Sequence, residues 1–583
     1  MIYNMRLLEI HSNYLAVIVF AQILYVMIEV GAQHQKVWSD EEETVEFWNK
    51  KAQDDLALAL QRNEFYDGVA QNVILFLGDG MGIPTITAGR ILKGQLNGQL
   101  GEEYELSIDK FPNVGLSKTY SIDRQTTDSA ATATAFLCGI KSTWGTLGLA
   151  GKARMGVCES ATGQEVNSIL IDAYNQGKST GIVTTTHLVH ATPAGAYAHT
   201  PERNWYSDAQ LTQNAIDGGC TDIAKQFYEN SHQITVALGG GRKYFRPNNM
   251  PDVGYPQHNG TRLDGRNFVE EWLGDAGSES RSFVWNKQQL EKVQPDSTDR
   301  LWGMFQPSHM NFEIDRNSTN EPSISEMVEK AIQILGKNPN GYFLLVEGGR
   351  IDHGHHDSSA IEVLHDMVAF DDAVDKATEM TTELDTLIVV TADHSHTMSL
   401  GGYALRGTSV FGLADQIEVE MIDTKPATSI LYGDGPGYLG EGTLNVVQIN
   451  PNEKFERENI TLVDTAGRTY RQQSAVPRTS ESHAGDDVPI YARGPMAHLF
   501  HGVHEQNYIA HVMRYASCLD ADKAHCAPKT DGTGPYVHFL SLNLTKLQAR
   551  FALYFMFALL ICSALVLIFL TYLFLARKFR NRK

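Results

Sequence analysis

No low-complexity tract and no internal repeat marks the 583 residues, which leaves no compositional sign of a repeat array or a disordered chain. Basic residues are in deficit, 48 Lys and Arg against 69 Asp and Glu, for a net charge of −21. General nucleic-acid binding needs a basic footprint, so the deficit argues against it. Small anionic substrates remain open, because bound metal ions set their own local field. Cysteine is sparse at six residues. Apolar residues at 42% and charged residues at 20% are ordinary for a globular chain long enough for one large domain or two smaller ones.

Long apolar runs occur only at the two ends. Tyr14 to Ile28 is apolar, and Val30-Gly31-Ala32 places small residues where a signal peptidase cuts, so residues 1–32 read as a signal peptide, with an uncleaved signal anchor as the alternative. Phe551 to Ala576 carries no charge and is long enough to span a bilayer. A basic tail, Arg577 to Lys583, follows, which predicts a cytoplasmic end and places the bulk of the chain outside the cell. Cys562 falls in that span and Cys138 in a helix-favouring run. For Cys158, Cys220, Cys518 and Cys526, pairing 158 with 220 and 518 with 526 is the simplest of three connectivities, and it suits an oxidising compartment. Glycosylation sequons stand at Asn259, Asn317, Asn459 and Asn543.

Between the ends, apolar runs that end in chemistry-bearing residues organise the chain. Tyr342 to Val346 reads as a buried strand, followed by Glu347-Gly348-Gly349-Arg350-Ile351-Asp352-His353-Gly354-His355-His356-Asp357. If the segment after the glycines is helical, Asp352 and His356 share a face. A carboxylate and an imidazole so placed suit Zn²⁺, and Glu347 suits a harder ion. Asp385 to Thr391 is a second strand, ending in Ala392-Asp393-His394-Ser395-His396. Val73 to Leu77 is a third, ending in Gly78-Asp79-Gly80-Met81-Gly82. Open α/β sheets place their sites at such strand ends, although Asp79 alone reads as a turn residue. The alanine-rich run from Thr126 to Cys138 predicts a helix capped by Gly139, with Ser129 in its first turn among free amides. Taken alone, Asp128 or Ser129 reads as an N-cap.

Gly181 to Thr186 predicts a strand leading to His187, His190, Thr192 and His199, and Arg203 follows with a guanidinium able to fork onto phosphate oxygens. Ile234 to Leu238 is a further strand, and residues 243–320 read as loop-rich excursions. Ala360 to Met380 predicts an amphipathic helix, and His483 precedes a strand at Val488 to Ala492. The expected fold is α/β, a large mostly parallel central sheet with helices on both faces and a small inserted subdomain. The expected segments are a signal peptide at 1–32, an arm helix at 33–65, a catalytic domain at 66–400 resumed at 481–527, and a crown-like insertion at 401–480. A stalk at 528–550, the apolar segment at 551–576 and the basic tail at 577–583 complete the chain.

D-G-M-G at 79–82, T-D-S-A-A-T-A-T-A at 127–135, H-A-T-P-A-G-A-Y-A-H at 190–199 and R-N-W-Y-S-D-A at 203–209 resemble the metal-dependent alkaline phosphatases, specifically their membrane-attached animal branch. V-E-G-G-R-I-D-H-G-H-H at 346–356, T-A-D-H-S-H at 391–396 and E-S-H-A-G-D-D-V at 481–488 complete the match, in order, across roughly residues 40–527. The resemblance implies a phosphomonoesterase with Ser129 as nucleophile and Arg203 as phosphate clamp. It implies one zinc held by Asp352, His356 and His483, a second by Asp393 and His394 with Asp79 bridging, and a magnesium held by Asp79, Thr192 and Glu347. His190 and His396 would stand just outside the ligands, and a homodimer is implied.

The chain departs from the mammalian pattern at Gly254 and Gln306, where carboxylates of a calcium-type site are expected; Glu321 alone is retained, which argues against calcium. Both a glycolipid anchor and a retained transmembrane helix fit the end of the chain, either one at the cell surface. A diesterase or sulfatase on the same scaffold is one alternative, and Ser129-Ala130-Ala131-Thr132 lacks the Cys/Ser-x-Pro-x-Arg nucleophile of sulfatases. An inactive surface binding protein is another, opposed by the complete ligand set.

Overall fold

The computed structural model describes residues 66–414, 424–439, 458–520 and 523–526, the backbone of strands Tyr536–Phe539 and Leu542–Thr545, and isolated positions near both ends. The chain groups into two units, 1–63 and 64–583, and the second carries the fold that follows. The expected signal peptide, most of the 33–65 arm, the side chain of Asn543, the stalk at 528–550 apart from its backbone at 536–539 and 542–545, and the basic tail lie outside the described residues. So does the apolar segment at 551–576, apart from Phe555 and Ser563. Among the described residues no helix is long and apolar enough to cross a membrane.

Ten strands make one sheet. In chain order they are β1 (Asn72–Gly78), β2 (Asn113–Lys118), β3 (Ser179–His187), β4 (Val236–Gly240) and β5 (Arg281–Val284). Then come β6 (Arg300–Met304), β7 (Tyr342–Gly348), β8 (Thr386–Ala392), and the later strands Val488–Arg493 and Gly502–Glu505. From one edge to the other the order is Gly502–Glu505, β2, Val488–Arg493, β8, β1, β7, β3, β4, β6, β5. Every neighbouring pair is parallel except the two that Val488–Arg493 makes, with β2 and with β8.

The central strands are apolar on both faces because both faces are covered. Ile74 and Phe76 of β1 enter one core with Leu344, Val346, Ile388 and Val390, while Val73, Leu75 and Leu77 enter the other with Phe343, Leu345, Leu387 and Val389. This is the unbroken hydrophobic run expected of buried parallel strands. The helix Ala360–Met380 covers the first face with Leu364, Met367, Phe370 and Val374, and Phe370 meets Phe76 edge-on at 5.7 Å. Ile324–Leu335 packs beside it, opened by a capping box between Ser323 and Glu326. Ile169–Asn175 and Tyr508–Ala516 cover the second face.

Two sequence expectations are corrected. Residues 243–320 are not only loops: β5 and β6 extend the main sheet there, with helices Phe268–Gly274 and Lys287–Lys292. Burial explains it, since Trp302 of β6 is fully buried and stacks on Trp272 at 4.2 Å. The alanine-rich helix also changes pitch. It is α-helical over Ser129–Ala133, widens to a π-turn over Thr134–Cys138, and stops at Gly139, whose φ of 82° is left-handed.

Disulfides join Cys158 to Cys220 and Cys518 to Cys526, and Cys138 is a buried free thiol pushed up to about 12 by burial. Asn259, Asn317 and Asn459 are exposed. A separate three-stranded sheet is made by Met398–Leu400, just before the segment 401–480, and by Ile430–Gly435 and Ser474–Pro477 within it.

Candidate metal centre

Strand register brings the chemistry to one sheet edge. Gly78 pairs with Gly348 on one side and Ala392 on the other, so Asp79 and Asp393 leave adjacent strands together, with Glu347 beside Leu77 at the end of β7. Glu347 lies opposite Thr184 of β3. Asp79 turns on Gly80, whose φ is +70°, and a Cβ there would stand 2.4 Å from the His396 ring. Only glycine fits that turn. Asp352 and His356 come from the helix Arg350–His356 that follows β7. His483 arrives by another route: His483–Ala484 pairs antiparallel with Ser395–His396, setting His483 against His396.

The imidazoles are aimed by carbonyls. His356 Nδ1 lies 2.6 Å from the Glu481 carbonyl and His483 Nδ1 lies 2.8 Å from the Thr127 carbonyl. A carbonyl only accepts, so each Nδ1 carries the proton and each Nε2 of a neutral ring presents a lone pair. Those two Nε2 atoms face each other at 3.2 Å, and Asp352 Oδ1 lies 3.3 Å from His483 Nε2, with Oδ2 3.4 Å from His356 Nε2. Lone pairs and a carboxylate converging with no hydrogen between them fit a borderline cation.

A second convergence lies beside it. His394 Nε2 stands 3.1 Å from Asp393 Oδ2 and 3.6 Å from Asp79 Oδ1, and 3.3 Å from Ser129 Oγ. Asp393 Oδ1 accepts from the amides of Gly80 and His394 at 2.9 Å each, which leaves Oδ2 buried without a hydrogen bond. A third group is oxygen-rich. Both Asp79 oxygens, Thr192 Oγ1 and Glu347 Oε1 are buried and without hydrogen bonds, while Thr184 and Thr186 donate to Glu347 Oε2. Orphaned hard donors of this kind suit a hard divalent ion.

Electrostatics ask for positive charge in the same place. Burial, then Asp393, Asp352 and Glu347, push Asp79 well above the usual carboxylate range. Burial raises Glu347 to about 7 against the pull of Thr184 and Thr186, and burial also raises Asp393. Asp352 goes the other way: His356, His396 and His483 outweigh its burial. Burial and the neighbouring His483 hold His394 well below the normal imidazole range, ready to act as a neutral ligand.

Ser129 sits at the start of its helix, 2% exposed, with Asp128 before it as N-cap. The amides expected to be free there are in part taken, since Ala130 and Ala131 donate to Asp128. Arg203 reaches the same carboxylate, Nη1 to Oδ2 at 3.0 Å. His190 packs among His187, His309 and His353, and burial drives all four well below the ordinary imidazole range. His396 differs. Its Nε2 lies 2.8 Å from Asp352 Oδ1 and its Nδ1 2.5 Å from Glu481 Oε2, so it faces carboxylates at both ends.

Glu481 and Gln506 are neighbours of the site to which the sequence reading gave no role, while Asp128, read there as an N-cap candidate, caps the helix and also holds Arg203. Gln506 Nε2 donates to the Asp393 carbonyl at 2.7 Å. Asp128 and Glu481 stand within two residues of named site residues, and that adjacency was the available signal. At the calcium-type position implied by the resemblance, the carboxylates hydrogen-bond to protein groups. Glu321 accepts from the Asn311 amide at 2.9 Å, from Asn311 Nδ2 at 2.6 Å and from Gln306 Nε2 at 2.7 Å. The nearby Asp252 is held by Arg242 at 2.9 and 2.7 Å.

A family model described as Alkaline phosphatase matches residues 70–519. The tissue-nonspecific alkaline phosphatase isozyme of Felis catus is 51% identical over 518 residues, 88% of this chain and 96% of that protein. An alkaline phosphatase of Gadus morhua is 51% identical over 488 residues, 83% of this chain and 99% of that one. Among solved structures, Thermus thermophilus alkaline phosphatase matches with a TM-score of 0.56 at 23% identity, covering 80% of this chain and 94% of its own, a likeness of fold.

Proposed function

The chain belongs to the alkaline phosphatase family and is a phosphomonoesterase, and we propose that it works through a phosphoseryl intermediate on Ser129 beside two zinc ions and one magnesium. Asp352, His356 and His483 would hold one zinc; Asp393, His394 and Asp79 would hold the other; Asp79, Thr192 and Glu347 would hold the magnesium. The observation that carries this reading is the pair of His356 and His483 Nε2 lone pairs facing each other at 3.2 Å, beside buried carboxylate oxygens that have no hydrogen-bond partner.

Bound there, the cations supply Lewis acidity, lowering the pKa of the serine hydroxyl and of water and drawing charge from the phosphoryl oxygens and the leaving oxygen. Ser129 Oγ attacks phosphorus, the ester P–O bond breaks and the alcohol departs. Water then attacks the phosphoseryl phosphorus, the Oγ–P bond breaks, and inorganic phosphate leaves with the serine restored. Arg203 clamps two phosphoryl oxygens with its guanidinium, held in place by Asp128. Asp128 fixes the turn from which Oγ projects. His190 and His396 orient neighbours without touching the cations. Glu321 already accepts from the amides of Asn311 and Gln306, which disfavours calcium there.

Small phosphate monoesters are the substrates. We place the enzyme at the outer cell surface, held by the 551–576 segment, glycosylated at its exposed sequons and assembled as a homodimer; the two disulfides support the oxidising compartment. Acid quenching during turnover of a monoester, followed by peptide mapping, should recover phosphate on Ser129. Ser129→Ala should abolish both label and turnover, and chelation should abolish turnover until zinc and magnesium return. Full turnover by the alanine variant would overturn the reading.

A further inference from the structure

Glu481 lies two residues before His483 and is 2% exposed. Its hydrogen-bonding groups are spent on the two segments that carry the imidazoles. Its backbone amide donates to the His356 carbonyl at 2.9 Å, and its own carbonyl accepts from His356 Nδ1 at 2.6 Å. Its Oε1 accepts from the Thr397 amide at 2.7 Å and from Thr397 Oγ1 at 2.6 Å. Its Oε2 stands 2.5 Å from His396 Nδ1, and the far nitrogen of that ring stands 2.8 Å from Asp352 Oδ1.

Ionised carboxylates accept and do not donate. A carboxylate oxygen at each nitrogen therefore holds the His396 ring from both ends. The ring has no freedom to turn away, because His355 stacks on it at 4.4 Å and the Gly80 turn lies against its edge. Asp352 is thus aimed by His396, and His396 is aimed by Glu481. His356 is aimed by the Glu481 carbonyl directly. One side chain and its own peptide groups set two of the three donors, and the third follows two residues later in the same strand-forming segment.

We infer that Glu481 is a positioning residue for the zinc centre: it ties the Arg350–His356 helix to the Ser395–Thr397 turn and holds Asp352 and His356 in binding geometry before the cation arrives. The inference rests on the ligand assignment given under Proposed function. Loss of a partner that orients a ligand typically lowers metal affinity about 10–100-fold. Glu481→Ala removes the anion facing His396. Glu481→Gln keeps the shape and an acceptor for Thr397, but places an amide where the carboxylate faces His396 Nδ1.

The test uses the full chain, loaded with zinc and challenged with a chelator while released zinc is followed by a chromogenic indicator. Melting temperature is measured for the loaded and the zinc-free forms of each variant. Glu481→Ala should release one zinc about 10–100-fold faster than the parent, Glu481→Gln should fall between, and the gap in melting temperature between loaded and free forms should narrow in the same order. A purely structural residue would lower both melting temperatures equally and leave zinc release unchanged, and that result overturns the inference. If Glu481→Ala does not fold, Glu481→Gln decides on the same criterion. Failure of the parent to take up zinc at all would overturn the ligand assignment itself.

Discussion

The guanidinium of Arg203 lies 3.0 Å from the carboxylate of Asp128, and that carboxylate also caps the helix bearing Ser129. Ser129 and Arg203 are thereby hung from one side chain. Burial would lower the Arg203 pKa, but Asp128 outweighs it and keeps the guanidinium charged. Asp128→Ala should cost about 1–2 kcal/mol of stability through the lost cap and the stranded arginine. Inhibition by inorganic phosphate should weaken about tenfold, roughly 1.4 kcal/mol. Denaturant unfolding and phosphate inhibition of the same preparation check both numbers.

Gly80 carries a positive φ at the point where Asp79 leaves the sheet, and the His396 ring fills the space a side chain would need. Gly80→Ala should therefore cost about 1–2 kcal/mol for the left-handed residue and also displace His396. Turnover should fall by more than the small loss of folded protein explains, as activity per mole of folded enzyme will show.

Glu321 accepts hydrogen bonds from the amides of Gln306 and Asn311, so the parent's melting temperature should be indifferent to a calcium-selective chelator. Gln306→Glu replaces the Gln306 donor, 2.7 Å from Glu321, with a second carboxylate. That variant should lose about 1–3 kcal/mol in chelator and recover it when calcium is added. A melting series across calcium concentrations reads the effect without touching the active site.

Asp366 accepts from the Glu313 amide in a buried position, and burial raises it to about 8 against the pull of Arg350. The folded chain holds this proton more tightly than the unfolded chain does, for which 3.8 is the ordinary value. Its contribution to stability is therefore intact at low pH and is lost as pH rises through about 8. Asp366→Asn removes that dependence. Relative to the parent, its melting temperature should climb as pH rises toward about 8 and level off above it.

β1, β7 and β8 were legible because each is a short apolar run cut off by Gly78, by Gly348 or by Ala392 and the aspartate after it. The helix Ala360–Met380 was read to its ends because its apolar spacing is sustained over 21 residues. β5 and β6 were missed because the sheet edge is polar: Arg281 and Arg300 both pair with Glu279, and only tertiary stacking of Trp302 on Trp272 marks the strand as core. The π-turn at Thr134–Cys138 follows from packing that no local pattern encodes. At the site, Asp79, Asp352 and Asp393 were visible as acids at strand ends. Glu481 was hidden because its role depends on its backbone lying against His356, 125 positions earlier.

The strand Val488–Arg493 runs against its neighbours, so it delivers the segment before it, not the segment after it, to the reactive edge. A nascent polypeptide emerging from the ribosome acquires Asp79, Ser129, Glu347 and Asp393 early and in turn, but His483 and Gln506 only near the end of the described core. Until that last stretch lies between β2 and β8, the group around Asp352 and His356 lacks His483 and stands open on one side.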